Sequence, residues 1–334
     1  MTNEFMKKKY IRQILILLVS ASLLLVMLLI SIFTGSVSYT INEIITAFLS
    51  GGDPKVRDII ISIRLPRVLI AALVGMNLAV AGTYMQAVMR NPMADPGIIG
   101  VSTGSGFAAV LVMLVFPGIT NILPIVSFLG GCIACILVFT LSWKNGTDPV
   151  RLILSGVAVN ALLGGGISLL SLLYSDRIQG ILLWVNGSLS AKSLSDFFHL
   201  LPFTVTGLIL SVVCIPFANV LILGDDVAKS LGIPVNTARI CLSAAAAYLT
   251  GISISTVGLI GFIGLIIPHV ARLLAGSDYK ILIPLSAMLG ALLLICADCI
   301  ARTVFSPTEI PVGVVMSIIG GPFFIWLLRR GKRL

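Results

Sequence analysis

Charge is what this sequence has least of. Only 10% of its 334 residues are Asp, Glu, Lys or Arg, where a soluble domain carries roughly a quarter. With 58% apolar residues and a mean hydropathy of +1.12, a water-soluble fold would leave large apolar surface against solvent, so that class is excluded. Histidine is confined to His199 and His269, and there is no HExxH pair of the kind a zinc hydrolase uses. No GxxxxGK[ST] phosphate loop is present, so ATP binding in that manner is excluded. Acidic residues number 13, and none forms a close pair within an apolar run. A membrane enzyme therefore lacks its acid, base, nucleophile or metal set, and an ion-coupled carrier, which normally places carboxylates mid-span, finds few here. Asp298 is the best candidate for such a group, near one end of its run. Linkers, low-complexity tracts and a second domain are also missing, so residues 1–334 read as one transmembrane domain.

What remains is a succession of apolar runs broken by Gly, Pro and charge. A spanning helix needs about 20 mainly apolar residues, and ten spans fit, at 14–33, 64–88, 97–116, 121–142, 151–174, 200–223, 237–257, 258–275, 281–304 and 311–328. Gly and Pro interrupt the third and eighth. The first run resembles a signal peptide behind Lys7, Lys8, Lys9 and Arg12, but it is longer than a signal core and no A-x-A site follows, so it reads as a retained span. All six cysteines lie inside apolar runs. The CxxC pairs Cys132/Cys135 and Cys296/Cys299 have no polar ligands around them and read as small packing residues.

The net charge of +9 records orientation in a membrane rather than a nucleic-acid partner. With the N-terminus inside, 15 of the 22 Lys and Arg fall on the cytoplasmic side and 7 outside. That bias agrees with the positive-inside rule and places both termini in the cytoplasm. Small residues repeat along the runs, as in GVSTGSG at 100–106 and GLIGFIG at 258–264. They permit the close helix approach that drives packing in lipid.

Three stretches stand out from the spans: 34–63, with an amphipathic piece around 41–49; 175–199; and the cytoplasmic 224–239. Against the charge bias, RLPR at 64–67 puts Arg64 and Arg67 three apart, on one helical face at the outer edge. That pattern fits either snorkelling to lipid headgroups or docking of an acidic partner. ADCIAR at 297–302 adds Arg302, four residues after Asp298, in the favourable order for a local ion pair. In GDDVAKSLGIPVNTAR at 224–239, Gly224 and Asp225 signal a helix start and Gly232 a stop. Val227, Ala228 and Leu231 form a small apolar face, with Asp226 beside it. The mixed charges suit a docking ridge for a cytoplasmic subunit better than a helix lying on anionic lipid. His269 reads as a satisfied helix-end residue.

RLPR at 64–67, RNPMADPGIIGVSTG at 90–104, GDDVAKSLGIPVNTAR at 224–239, GLIGFIGLIIPHVAR at 258–272, ADCIAR at 297–302 and IPVGVVMSIIGGPFFIWLLRR at 310–330 together resemble the FecCD-type permeases, the membrane subunits of iron-siderophore, haem and cobalamin ABC importers. The resemblance covers essentially the whole chain. It implies an all-α polytopic protein of about ten transmembrane helices with type II importer architecture, in the bacterial cytoplasmic membrane. It further implies a second permease subunit, cytoplasmic ATP-binding subunits, an extracytoplasmic substrate-binding protein, and no cofactor of its own. By the same resemblance, Arg64, Arg67 and Arg302 receive acidic residues of the binding protein. Gly224, Asp225, Asp226, Ala228, Leu231 and Gly232, within coupling helices at about 224–236, meet the ATPases. The expected cargo is a ferric siderophore, with haem or cobalamin on the same architecture, or an ion-coupled secondary carrier, as alternatives.

Overall fold

The computed structural model describes residues 2–35, 39, 43, 46–47, 53–144, 146–306 and 308–330. Among them all regular structure is helical. Most of the amphipathic piece expected at 41–49 lies outside the described residues.

The chain runs through α1 (Thr2–Phe33), α2 (Leu65–Met89), α3 (Val101–Val115), α4 (Leu123–Ser142), α5 (Pro149–Leu173), the short α6 (Ile178–Val185), α7 (Leu194–Leu221), the short α8 (Asp225–Ser230), α9 (Val235–Val257), α10 (Ile263–Ala275), α11 (Tyr279–Thr303) and α12 (Val312–Arg330). Among the described residues seven helices are long and apolar enough to cross a membrane, and α3, α10 and α12 supply shorter apolar segments. These occupy the ten positions expected from the runs. The two spans interrupted by Gly and Pro are among the three short ones.

The eighth span is a correction. Its helix begins at Ile263, not at 258. Gly258 (φ +79°) and Phe262 (φ +70°) are both left-handed, so the backbone between α9 and α10 is irregular. Thirteen residues in α10 rise only about 20 Å, short of the roughly 30 Å hydrocarbon core. Non-helical backbone at membrane depth is tolerated where protein covers it. Here Ser188 N donates to Val257 O at 2.8 Å, and Gly258 packs against the Trp184 carbonyl. His269 is likewise not a helix-end residue. It is buried within α10, with its ring edge-on to Phe323.

Burial sorts helices that hydropathy cannot. The most apolar spanning window, in α1, is only 11% buried, whereas the window in α9, the least apolar of the seven, is 72% buried. Helices α2, α9 and α11 form the centre, and α1, α4, α5 and α7 turn much of their surface outward. Close approach at the centre is made by glycine. Gly75 of α2 lies against the backbone of Gly290 in α11, and Gly82 lies against Gly264 in α10, with no room for a Cβ at either crossing. Buried polar side chains bind the same helices. Asn77 Nδ2 donates to Thr204 Oγ1 at 2.9 Å, and the Tyr84 and Tyr279 rings stack at 6.3 Å.

Candidate functional sites at the two ends of the bundle

Arg67 and Arg90 flank α2 at its opposite ends, about 35 Å apart by helical rise, and each belongs to a polar cluster. At the first end the helix does not start at the RLPR motif. A short helix Pro54–Ile59 and a π-helical turn Ile60–Arg64 run straight into α2. Pro66, which has no N–H to donate, follows just after the π-helical turn, where the regular α-helical bonding is already interrupted.

The three arginines gather at this end, but none projects outward. Arg64, Arg67 and Arg302 are 4%, 6% and 2% exposed. Arg67 binds both Asp298 (Nη2–Oδ1 2.9 Å) and Glu309 (Nη1–Oε2 2.7 Å). The i,i+4 pair expected between Asp298 and Arg302 is present at 3.5 Å. Arg302 also donates to the backbone and hydroxyl oxygens of Ser31 at 2.5 Å. Arg64 donates to Ile32 O and Phe33 O at 3.2 and 2.9 Å and lies over the Tyr39 ring. The end of α1 offers carbonyls with no intrahelical donor, and two of the arginines fill that need. Headgroup snorkelling is therefore not what holds these side chains.

Glu309 is the residue that sequence reasoning missed. It lies in the turn between α11 and α12, and nothing in SPTEIP marks it. Its Oε2 accepts from Arg67 and, at 2.7 Å, from Ser190 Oγ. Burial alone would raise its pKa. Hydrogen bonds from Arg67 and Ser190, with the charges of Arg67 and Arg302, instead hold it below the ordinary value of 4.5. Its side chain is 31% exposed, against 1% for Asp298, so Glu309 is the part of this cluster that meets the surroundings.

At the other end, Gly224 (φ +107°) and Gly232 (φ +76°) bracket α8, as the start and stop signals require. Asp225 and Ala228, three apart, face inward. Arg239 Nη2 donates to both Asp225 oxygens at 2.9 and 3.0 Å, Arg90 approaches at 3.6 Å, and Ala228 is wholly buried. The expected apolar face of Val227, Ala228 and Leu231 is thus corrected. Val227 and Leu231, four apart, share the outer side and are exposed, whereas Ala228 seats the helix on the bundle. Asp226 and Lys229 are open to the surroundings and pair weakly at 3.9 Å.

Arg239 also donates to Thr147 O at 2.6 Å, and Asn236 Oδ1 accepts from Thr147 N at 2.9 Å. The α4–α5 turn, α8 and α9 are consequently one hydrogen-bonded unit. Beside them opens a polar cavity of about 340 Å³ lined in part by Lys144, Asp148, Arg151 and Lys229. Among the described residues no group of His, Cys, Asp or Glu is arranged to hold a metal ion, and all six cysteines are free thiols.

Residues 23–330 match the FecCD transport family. Over 329 residues the chain is 37% identical to the Fe(3+)-citrate import system permease protein YfmE of Bacillus subtilis (strain 168), covering 98% of both chains. It is 38% identical over 304 residues to the probable heme-iron transport system permease protein IsdF of Staphylococcus aureus (strain MSSA476), covering 91% of this chain and 92% of that one. The fold superposes with a TM-score of 0.86 and 30% identity on an inward-facing conformation of a metal-chelate type ABC transporter, over 94% of this chain and 99% of that one.

Proposed function

The chain belongs to the FecCD transport family, and on that premise we propose that it is the membrane-spanning subunit of an ATP-driven importer that carries a ferric siderophore across the bacterial cytoplasmic membrane. The observation that carries this reading is the pairing of two different polar ends on one rigid helix. An arginine cluster lies at the start of α2, and an exposed two-residue apolar ridge is pinned near its finish. Each end suits a protein partner of different chemistry.

At the arginine end the partner is a substrate-binding protein bearing acidic residues, received by Arg64, Arg67 and Arg302. All three are already paired within the chain, so docking works by exchange. An incoming carboxylate takes the place of Glu309 on Arg67, at little cost in charge because one ion pair replaces another. At the α8 end the partners are ATPase subunits that seat on Val227 and Leu231 beside Asp226. Their movement reaches the spans through Asp225, Arg239 and Arg90, which tie α8 to α9 and α2. The charge bias of the loops supports a cytoplasmic position for this end and for both termini. The second permease subunit completes the path, and the chain itself performs no covalent chemistry.

An ion-coupled carrier is disfavoured by the state of Asp298. A proton-carrying carboxylate must exchange its charge during transport, but this one is locked between Arg67 and Arg302. Haem is the second reading for the cargo, favoured by the similarity to a heme-iron permease.

The test is uptake in a deletion strain and its complemented parent, with labelled ferric catecholates, ferric hydroxamates, ferric citrate, haem and cobalamin. Selective, ATPase-dependent loss of one ferric chelate, restored by the gene, is the expected result. Loss of haem or cobalamin alone moves the cargo, and uptake that survives removal of the ATPase overturns the importer reading.

A further inference from the structure

The α8 end of the bundle holds a second cavity, of about 520 Å³, between the start of α1 and the last turn of α10. Lys8, Lys9, Arg12 and Arg272 line it, with Gln13 and residues 273–276. Among the described residues that line it the charge is one-sided: none is a carboxylate, whereas the cavity beside α8 sets Asp148 and Asp225 against its cations. The two arginines lining the cavity at α1 donate to neutral acceptors. Arg272 donates to Gln86 Oε1 at 2.5 Å and to Tyr279 Oη at 3.5 Å. Arg12 reaches Leu274 O at 3.4 Å, and buried Gln13 donates to Ala275 O at 3.0 Å. Four like charges around one space repel each other, and an anion seated among them removes that repulsion.

The cavity's surroundings identify which anion. Leu273 and Leu274 on α10 line it and are exposed, and Leu15 and Leu18, further along α1, are exposed as well. Helix α1 continues as the least covered of the seven long spans. A ligand that fits has a negative head and an apolar body running along α1. We propose that this cavity binds the headgroup phosphate of an anionic phospholipid, with its acyl chains against α1 and α10. Basic pockets between spans on the cytoplasmic side recognise lipid headgroups by this combination. Gln13 and Arg12 already join α1 to the carboxyl end of α10, so a bound headgroup makes a further bridge between the most peripheral span and the core. This inference stands apart from the transport reading and from both protein-docking ends.

The experiment is native mass spectrometry of the purified full-length chain in detergent, titrated separately with phosphatidylglycerol and phosphatidylcholine. Inorganic phosphate is tested in parallel by thermal shift. The wild type is expected to retain phosphatidylglycerol at least about tenfold better than phosphatidylcholine, because only the former carries a net negative headgroup for the cations to hold. Lys8→Gln/Lys9→Gln and Arg12→Gln should each lose most of that preference. Lys8 and Lys9 are exposed, so the first variant should keep its lipid-free thermal midpoint. Arg272 is left unchanged because it anchors Gln86 and Tyr279. Equal retention of the two lipids, or an undiminished preference in both variants, overturns the site. Stabilisation by millimolar phosphate equal to that by phosphatidylglycerol keeps the phosphate chemistry but overturns the lipid as its source.

Discussion

Arg67 and Glu309 meet at 2.7 Å at the rim of the bundle, the arginine almost fully covered and the carboxylate about a third open. The contact leaves the most accessible charge of the cluster negative, on a surface proposed to receive acidic residues. Glu309→Gln should therefore raise affinity for the binding protein, by removing both the competing carboxylate and its like-charge repulsion. Immobilised permease titrated with loaded binding protein checks this. Weaker binding would mean that Glu309 belongs to the docking surface itself.

The same clasp carries a pH dependence. The carboxyl of Glu309 is held below its ordinary value of 4.5, so the ion pair stabilises the fold above that value. The stabilisation is lost as pH falls through the lowered pKa. Between pH 5 and 8 the clasp should not respond to pH. Thermal midpoints across pH 3–8 should show an acid-side loss in the wild type that Glu309→Gln lacks.

Asp298 bridges Arg67 and Arg302 with almost no solvent access. Breaking a buried pair by removing one partner typically costs about 3–5 kcal/mol. Asp298→Asn should lower the thermal midpoint more than Glu309→Gln, and Asp298→Ala more than either. Equal midpoints for the Asn variant and the wild type would show that the cluster contributes little to the fold.

On α8 the outward and inward positions should separate. Leu231→Asp is expected to leave membrane insertion and thermal midpoint unchanged while abolishing transport and weakening ATPase co-purification. Ala228→Leu should instead destabilise the fold by about 1–3 kcal/mol, since overpacking a filled site forces its neighbours apart. Asp225→Asn should loosen α8 from Arg239 and Arg90, a charged hydrogen bond being worth about 1.5–3 kcal/mol. Amide exchange over 225–231 measures that release.

Gly75→Leu should prevent the crossing of α2 and α11, because the Gly290 backbone occupies the space that any side chain would need. Gly164→Ala, on α5, meets nothing within 4 Å and should leave the chain's own fold intact. Size-exclusion profiles of the two variants in detergent make the comparison direct.

Spans, their number and the candidate ends were legible in the sequence because each rests on local chemistry. Burying about 20 apolar residues is a property of one helix. The i,i+4 spacing of Asp298 and Arg302, and the glycines around α8, act within a few residues of chain. Other features depended on distant partners. Glu309 reached Arg67, and Ser31 reached Arg302, only when α1, α2, α11 and the turn after it came together. The outward-facing reading of the arginines changed for the same reason, because helix-end carbonyls and distant acids offered better partners than solvent. Hydropathy could not say which helices would be central, since lipid and protein interior are both apolar. Nor could it find the break at 258–262, where backbone polar groups needed cover from the residues around α6. Composition and short-range spacing determined a helical membrane protein with two chemically distinct ends, its described residues forming seven long apolar helices and three shorter apolar segments. Tertiary packing alone decided which charges stay open, because burial and pairing depend on whatever distant segment supplies the nearest partner.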